Sequence, residues 1–419
     1  MTAIRRGPLA AYAFVALPLA AGALPLYINV ASVYADGLGA QLTGVGVALL
    51  LARAADAFLD PYLGAWIDRL RRPRLVIVGG ISLLALGLLL VFHPPWTGTA
   101  SIAWLPLALL PAYLGHSSAA IAHLALGAEF GDTSTERVQI AVWREGFALA
   151  GILLATVAPQ WIAADTATAL ARGSVAFAAL APLGVAAVLL CVRPTSRPGP
   201  APNALPWLET VRAFSRAPFL PLLAAFTLNG VANALAATLV LFFVADVLGA
   251  EQNGSLFLLA YFAAGAIGLP AWPAMAARLG TQNAWRLSML LGAAAFVGAA
   301  LLGPGDLLPF LGVCIATGLV LGGDLALPAA LLTDTLRQRG EAARAAGYFG
   351  VWTFATKMSA ATAAGVGLPL IEALGYLPGQ PETAFALQAV YCLLPCALKI
   401  VAACIVPFSV RIGTQGVLP

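Results

Sequence analysis

The chain has 419 residues, 61% of them hydrophobic and only 10% charged, whereas a soluble domain is about 45–50% apolar and about 25% charged. A soluble fold of this length cannot hide that much apolar surface from water, and disorder is excluded because it needs low hydrophobicity and high charge. The formal charge is +4 and the basic residues are scattered over short loops, which argues against a nucleic-acid partner; what remains is an all-α polytopic membrane protein with the lipid bilayer as its solvent.

A span needs about 20 apolar residues, and the apolar runs predict twelve. In chain order they are 8–32, 41–67, 74–93, 101–128, 138–163 and 170–192, then 217–248, 254–277, 286–303, 307–333, 346–371 and 383–408. The Pro- and Arg-rich stretch 193–216 reads as a linker between a six-helix half, 1–192, and a second one, 217–419. The first run, preceded by Arg5 and Arg6, imitates a signal peptide, but it is too long for one. The five cysteines, Cys191, Cys314, Cys392, Cys396 and Cys404, lie in apolar runs without metal-ligand spacing and read as small core residues.

With twelve spans, alternate loops share a face. One face receives Arg5, Arg6, Arg69, Arg71, Arg72, Arg74, Arg137, Arg193, Arg197, Arg212, Arg216, Arg278, Arg286, Arg337, Arg339, Arg344 and Arg411; the other receives only Arg172. The positive-inside rule makes the first face cytoplasmic, both termini included, and a miscounted span would scramble the segregation. The expected location is the inner (plasma) membrane. An internal repeat points the same way: AFLDPYLGAWIDRL at the end of the second span aligns with AIGLPAWPAMAARLG at the end of the eighth, pairing Pro61 with Pro270 and Arg69 with Arg278. Two parallel six-helix repeats are the layout of the major facilitator fold.

Charges inside a bilayer are costly and mark function. The densest set is Arg53, Asp56 and Asp60 in the second span. Spacings of three and four place them on one helical face, and two carboxylates one turn apart must share a proton, bind a cation or lean on Arg53. The competing view is that Asp60-Pro61 starts a broken helix. The eighth span keeps the proline but has Gly265 and Leu269 at the acid positions, which favours a cation site confined to the first half. Next comes GxxxDRxxR, with Gly64, Asp68, Arg69 and Arg72; it resembles the major facilitator signature, a close helix approach at the Gly and a charge latch at the Asp and Arg.

The stretch RAADAFLDPYLGAWID, from Arg53 to Asp68, resembles the helix-two motif of the glycoside–pentoside–hexuronide:cation symporters, the melibiose-permease family. LALGAEFGDTSTERVQIAVWRE, with Asp132, Glu136, Arg137 and Arg144, is similar to that family's helix four–five turn. LPAALLTDTLRQRGEAARAAGYFGVWTFATK, with Asp334, Tyr348 and Lys357, is similar to its helix ten–eleven turn. The resemblance implies that Asp56 and Asp60 bind the coupling cation, H+ or Na+, that Lys357 answers them across the cavity, and that Arg144 contacts substrate or braces the acids; a local Arg144–Glu145 pair is an equal alternative. The departures matter. The family's polar amide before the second Asp is Leu59 here, which removes an oxygen from a sodium site and tilts the reading towards protons. Its sugar-binding acids fall near Ala20 and Ala119, and its helix-four tryptophan near His123, an apolar setting for a sugar.

Other polar residues could line the cavity. His116 and His123 lie two turns apart on one helix face, with Ser117 and Ser118 nearby; helix–helix hydrogen bonding is the alternative for each histidine. Asn229 and Asn233 form a second stripe with the same alternative. Asp324, deep in the tenth span, must be protonated or meet a base. Lys399, in the twelfth, has no counterpart in the resemblance and needs a carboxylate from elsewhere. Trp143 and Trp352 suit either sugar stacking or packing. The sequence thus leads to a monomeric, cofactor-free symporter that couples a cation gradient to movement of a small solute, a sugar or glycoside by resemblance, by alternating access. An amphiphilic, lipid-like or anionic cargo is the nearer rival. An intramembrane enzyme or receptor is the remoter one, since no HExxH, GxSxG or P-loop is present.

Overall fold

The structure is a computed structural model that describes residues 6–191, 206–216, 219–380 and 383–407. It is 88% helix, with no strand among the described residues, as hydrocarbon demands of a chain whose backbone groups must be bonded within each segment. Twelve long helical segments follow the twelve apolar runs. They are α1 (Gly7–Ile28), α2 (Leu42–Leu70), α3 (Pro73–Phe92), α4 (Thr99–Ala128), α5 (Ser134–Ile162) and α6 (Thr166–Leu190). Then come α7 (Phe219–Val247), α8 (Glu251–Leu279), α9 (Thr281–Leu301), α10 (Leu307–Gln338), α11 (Ala345–Ala373) and α12 (Ala384–Ile405). All but α2 and α11 contain a stretch long and apolar enough to cross a membrane. Those two have 29 residues each, ample to cross, and they carry Arg53, Asp56, Asp60 and Lys357. The outward faces are aliphatic: Leu190 is 82% and Leu308 80% exposed, side chains that suit lipid rather than water.

Helix starts follow their local chemistry. Pro73 opens α3, where its missing N–H is no loss. Thr133 and Glu136 form a reciprocal capping box at the start of α5, each backbone amide donating to the other's side chain at 3.2 Å. Asp165 accepts from the Ala167 and Thr168 amides at the start of α6. Of the cysteines, Cys314, Cys392 and Cys396 are buried as expected, but Cys404 is exposed, on the outward side of α12.

The repeat is sharper in three dimensions than in the alignment of Pro61 with Pro270. VYADGLGA (Val33–Ala40) and FVADVLGA (Phe243–Ala250) both form a π-helical turn, Val33–Gly37 and Phe243–Val247. In each, the next leucine amide bonds back five residues, Leu38 to Val33 at 3.1 Å and Leu248 to Phe243 at 3.2 Å. Each then turns on a glycine at positive φ, 69° at Gly39 and 64° at Gly249, a conformation open to glycine at little cost. Each leucine carbonyl also receives a glycine amide from further along the chain, Gly98 on Leu38 and Gly305 on Leu248.

The two aligned prolines behave differently. Pro61 lies inside α2, which stays α-helical from Leu42 to Leu70; Asp60-Pro61 therefore does not begin a broken helix. Pro270 sits in a 3-10 turn, Leu269–Ala271, that interrupts α8.

Contacts divide the chain into two compact units. The first holds Met1–Asp132, Trp143–Val211 and Arg339–Phe354; the second holds Thr133–Val142, Arg212–Gln338 and Ala355–Pro419. Each unit thus includes the first turns of a helix from the other half of the sequence: α11 in the first, α5 in the second. The expected linker is a short helix over Trp207–Phe214, and its earlier part lies outside the described residues. Trp207 packs on the Tyr62 ring at 4.3 Å, so this helix is docked on α2.

Candidate functional site

In the first unit, the continuous α2 holds Asp56 and Asp60 one turn apart. Asp60 is fully buried and Asp56 is 5% exposed. Ser117, on α4, donates to Asp56 Oδ1 at 2.7 Å, which brings a hydroxyl to the carboxylate pair. Ser117 had stood out only as a neighbour of the histidines. Arg53 is exposed, donates to the Tyr27 carbonyl on α1 at 3.2 Å and lies 5.1 Å from the centroid of the Tyr27 ring. The Tyr27 ring in turn stacks on Tyr113 at 6.3 Å. Leu59, partly buried, presents no oxygen. Among the described residues no group of three or more His, Cys, Asp or Glu side chains could hold a metal ion. A hard cation prefers roughly six oxygens, whereas a proton needs one carboxylate.

The signature motif is engaged at the arginine-rich end of the same unit. Asp68 accepts the Ala346 amide at 3.0 Å and the Gly347 amide at 2.7 Å, two of the unsatisfied donors at the start of α11, where the helix dipole also favours an anion. Gly64 makes this approach possible: a Cβ there would lie 2.3 Å from the Ala346 carbonyl oxygen. On the facing side, a Cβ at Gly350 would lie 2.5 Å from the Asp60 carbonyl oxygen. Arg69 and Arg72 are exposed. Tyr348 donates to Glu341. At the nearby α4–α5 turn, burial raises the Glu129 carboxyl above its ordinary pKa, against the lowering pull of Arg74.

A second latch lies in the second unit. Asp334, on α10, is bonded by Arg137 Nε and by Ser134 Oγ, the latter at 2.5 Å. Ser134 Oγ is also 2.7 Å from the Thr281 hydroxyl at the start of α9. Arg137 and Asp334, taken from two separate motifs, thus meet as an ion pair.

The remaining buried charges of this unit also find each other. Lys399 Nζ donates to Asp324 Oδ2 at 2.5 Å and to Asn229 Oδ1 at 2.9 Å. Ser288 donates to Asp324 Oδ1 at 2.8 Å. Asp324 meets a base, and the carboxylate that Lys399 required is Asp324. Asn229 is spent on this interhelical bond, while Asn233 is partly buried and lines a cavity.

Other expected residues are placed less functionally. His123 is 2% exposed and donates to the Tyr12 carbonyl at 2.9 Å, while Tyr12 donates to the His123 carbonyl. Of the two alternatives for His123, the structure shows the helix–helix hydrogen bond, made by Nε2 between α4 and α1. His116 is partly buried on the same helix. Arg144 bonds its neighbour Glu145 at 3.0 and 2.5 Å, the local pairing. Lys357 lies on the part of α11 that belongs to the second unit. Trp352 is buried and Trp143 stacks on Phe147.

The family model described as MFS/sugar transport protein matches residues 10–412. No curated protein matches the chain. Among solved structures, a bacterial homologue of the iron transporter ferroportin, in an outward-facing state, aligns with 98% of this chain and 100% of its own at 17% identity, TM-score 0.75. The fucose:proton symporter FucP of E. coli aligns with 96% of this chain and 98% of its own at 14% identity, TM-score 0.71. At such identities the likeness establishes the fold. Twelve spanning helices in two repeats, buried intramembrane charge and a family match over nearly the whole chain lead to one conclusion: this chain belongs to the MFS/sugar transport protein family of the major facilitator superfamily and is a multi-pass secondary transporter.

Proposed function

We propose that the chain is a proton-coupled symporter of the glycoside–pentoside–hexuronide:cation type, carrying a small solute of the sugar or glycoside class. The observation that carries this reading is the buried Asp56/Asp60 pair, one turn apart on an unbroken helix, with the Ser117 hydroxyl on Asp56. Two like charges so close favour sharing a proton, and Leu59 weakens the case for sodium. Lys357 keeps the part the resemblance gives it, the cationic group that answers the acids during the cycle. The family description names sugar transport, and FucP is a fucose:proton symporter; both support the reading. The arginine-rich loops face the cytoplasm of an inner-membrane protein, and the Asp68 latch of the first unit and the Asp334 latch of the second each open and close as the acids load and release their proton.

Purified protein in liposomes tests this with a panel of sugars, glycosides and amphiphiles under an imposed pH gradient. Accumulation of a sugar or glycoside without chemical change, driven by the pH gradient and indifferent to sodium at fixed pH, is the expected result. Sodium stimulation at fixed pH would overturn the ligand-count argument. Transport of an amphiphile alone would favour the rival cargo, for which Ala119, wholly buried near where the family has a sugar-binding acid, already speaks.

A further inference from the structure

The Asp56/Asp60 centre makes no use of the charge buried in the second unit. There α7, α8, α9, α10 and α12 wall a cavity of about 310 Å³, at the lower end of the roughly 300–1,000 Å³ of small-molecule sites. Phe257, Tyr261, Phe296 and Phe310 make much of its wall, and Asp324 and Lys399 both reach it. The first unit has a cavity of about 410 Å³ among α1, α3, α5 and α6, whose only polar lining side chain is Ser174. A gap between packed helices therefore needs no ion pair, and the charge beside the second cavity is an added feature.

The spare bonding capacity is on the cation. An ammonium has three donors. Two of those on Lys399 go to Asp324 and Asn229, and the third has no acceptor among the described residues. Both Asp324 oxygens are engaged, by Ser288 and by Lys399, and the lysine side chain is the more exposed of the two, 11% against 4%. An anion is thus the better fit than a cation. A carboxylate joining Lys399 would leave two negative charges around one positive in a low dielectric, which pushes one acid to take a proton. The other titratable groups on the packed helices are Asp246 on α7, Glu251, Tyr261 and Arg278 on α8, Arg286 on α9, Cys314, Asp334 and Arg337 on α10, and Tyr391, Cys392, Cys396 and Cys404 on α12, and of these only Tyr261, Cys314 and Tyr391 line the cavity. Arg286 is bonded to the Ala403 carbonyl and Asp334 to Arg137. The tyrosines and cysteines ordinarily titrate only at about pH 8.5 or above. Asp324 is the group placed to take the proton.

We propose that this cavity binds a hydrophobic monocarboxylate together with one proton, the ligand's carboxylate on Lys399, the proton on Asp324 and the apolar tail along the aromatic wall. The site is separate from the Asp56/Asp60 centre, and its binding step needs no gradient, so failure of gradient-driven transport would leave it standing.

Full-length protein in detergent is titrated calorimetrically with octanoate at pH 7, in two buffers of different ionisation enthalpy, beside 1-octanol and octylamine. Octanoate is expected to bind at least about tenfold tighter than either, from its charge-assisted hydrogen bond, and to bring about one proton with it by linkage. Asp324→Asn should keep octanoate binding and lose the proton uptake. Gly292→Leu should weaken octanoate at least about tenfold by filling the cavity; a Cβ there lies 3.8 Å from the Lys399 stem and from Val320, so the longer leucine occupies the space beside the ammonium. Equal binding of octanol, unchanged octanoate affinity in Gly292→Leu, or binding without proton uptake would each overturn the proposal.

Discussion

The Asp56/Asp60 centre of the first unit and the Asp324/Lys399 centre of the second are built differently. Asp56 and Asp60 are like charges on a single helix, whereas Asp324 and Lys399 are opposite charges on two helices. A rigid helix cannot move its own i and i+4 side chains far apart, so under the proposed function the repulsion between the two acids changes as a proton arrives and leaves. Opposite charges on two helices relieve one another, and the centre stands neutral at rest. The prolines follow the same division. α2 stays α-helical through Pro61, which keeps both acids in register, while α8, which has Gly265 and Leu269 at the matching positions, gives way to a 3-10 turn around Pro270. The two units thus hold a like-charge pair on one helix and an opposite-charge pair on two.

The largest effects are expected at the first centre. Asp56→Asn and Asp60→Asn should each abolish uphill accumulation in liposomes, because an amide carries no exchangeable acid proton, while downhill equilibration survives. Normal accumulation in both variants would erase the distinction between the centres.

At the second centre the expected damage is to stability. Lys399→Met alone should destabilise the protein by about 3–5 kcal/mol, the range for removing one partner of a buried pair. The double variant with Asp324→Asn should recover most of that loss, read as a thermal midpoint in detergent. Additive losses would mean that the two side chains do not compensate one another.

Smaller effects are expected at the Asp68 latch. Gly64→Ala should cost about 1–3 kcal/mol by overpacking, since its Cβ would press on the Ala346 carbonyl oxygen. Asp68→Ala should cost a similar amount, about 1–3 kcal/mol, by stranding two amides at the start of α11. Both should slow transport without altering its proton dependence; a change in that dependence would place the latch within the coupling centre.

The smallest effect is expected at Arg53. An exposed cation–π contact is worth about 0.5–1 kcal/mol, so Arg53→Gln should leave accumulation nearly intact. Loss of accumulation in Arg53→Gln would return Arg53 to the acids.

Much of this was legible in the sequence. The twelve spans, the Asp56/Asp60 pair and the Gly64–Asp68 motif each follow from residue type at a given spacing along one segment. Helical spacing puts Arg53 on the acid face, but only the tertiary structure shows that its long side chain reaches Tyr27 on another helix. His123 and His116 share a face by spacing, but only the neighbouring α1 backbone shows that His123 is consumed in packing. Ser117 carried no signal of its own, since a serine in an apolar helix usually bonds within its own turn. The π-turn repeat at Val33–Gly37 and Phe243–Val247 could have been found in the sequence: the shared pattern ADxLGA marks it.

By itself, then, the sequence determined the solvent, the helix count and the helix that carries the acids, because the hydropathy of a segment and the spacing along a helix are local properties. Only the tertiary structure decided the partners. Ser117 reaches Asp56 across 61 residues, Lys399 reaches Asp324 across 75 and Arg137 reaches Asp334 across 197. Such pairings depend on which helices are neighbours and on how each is rotated about its axis, and those are set by close packing of the whole bundle rather than by any one segment of it.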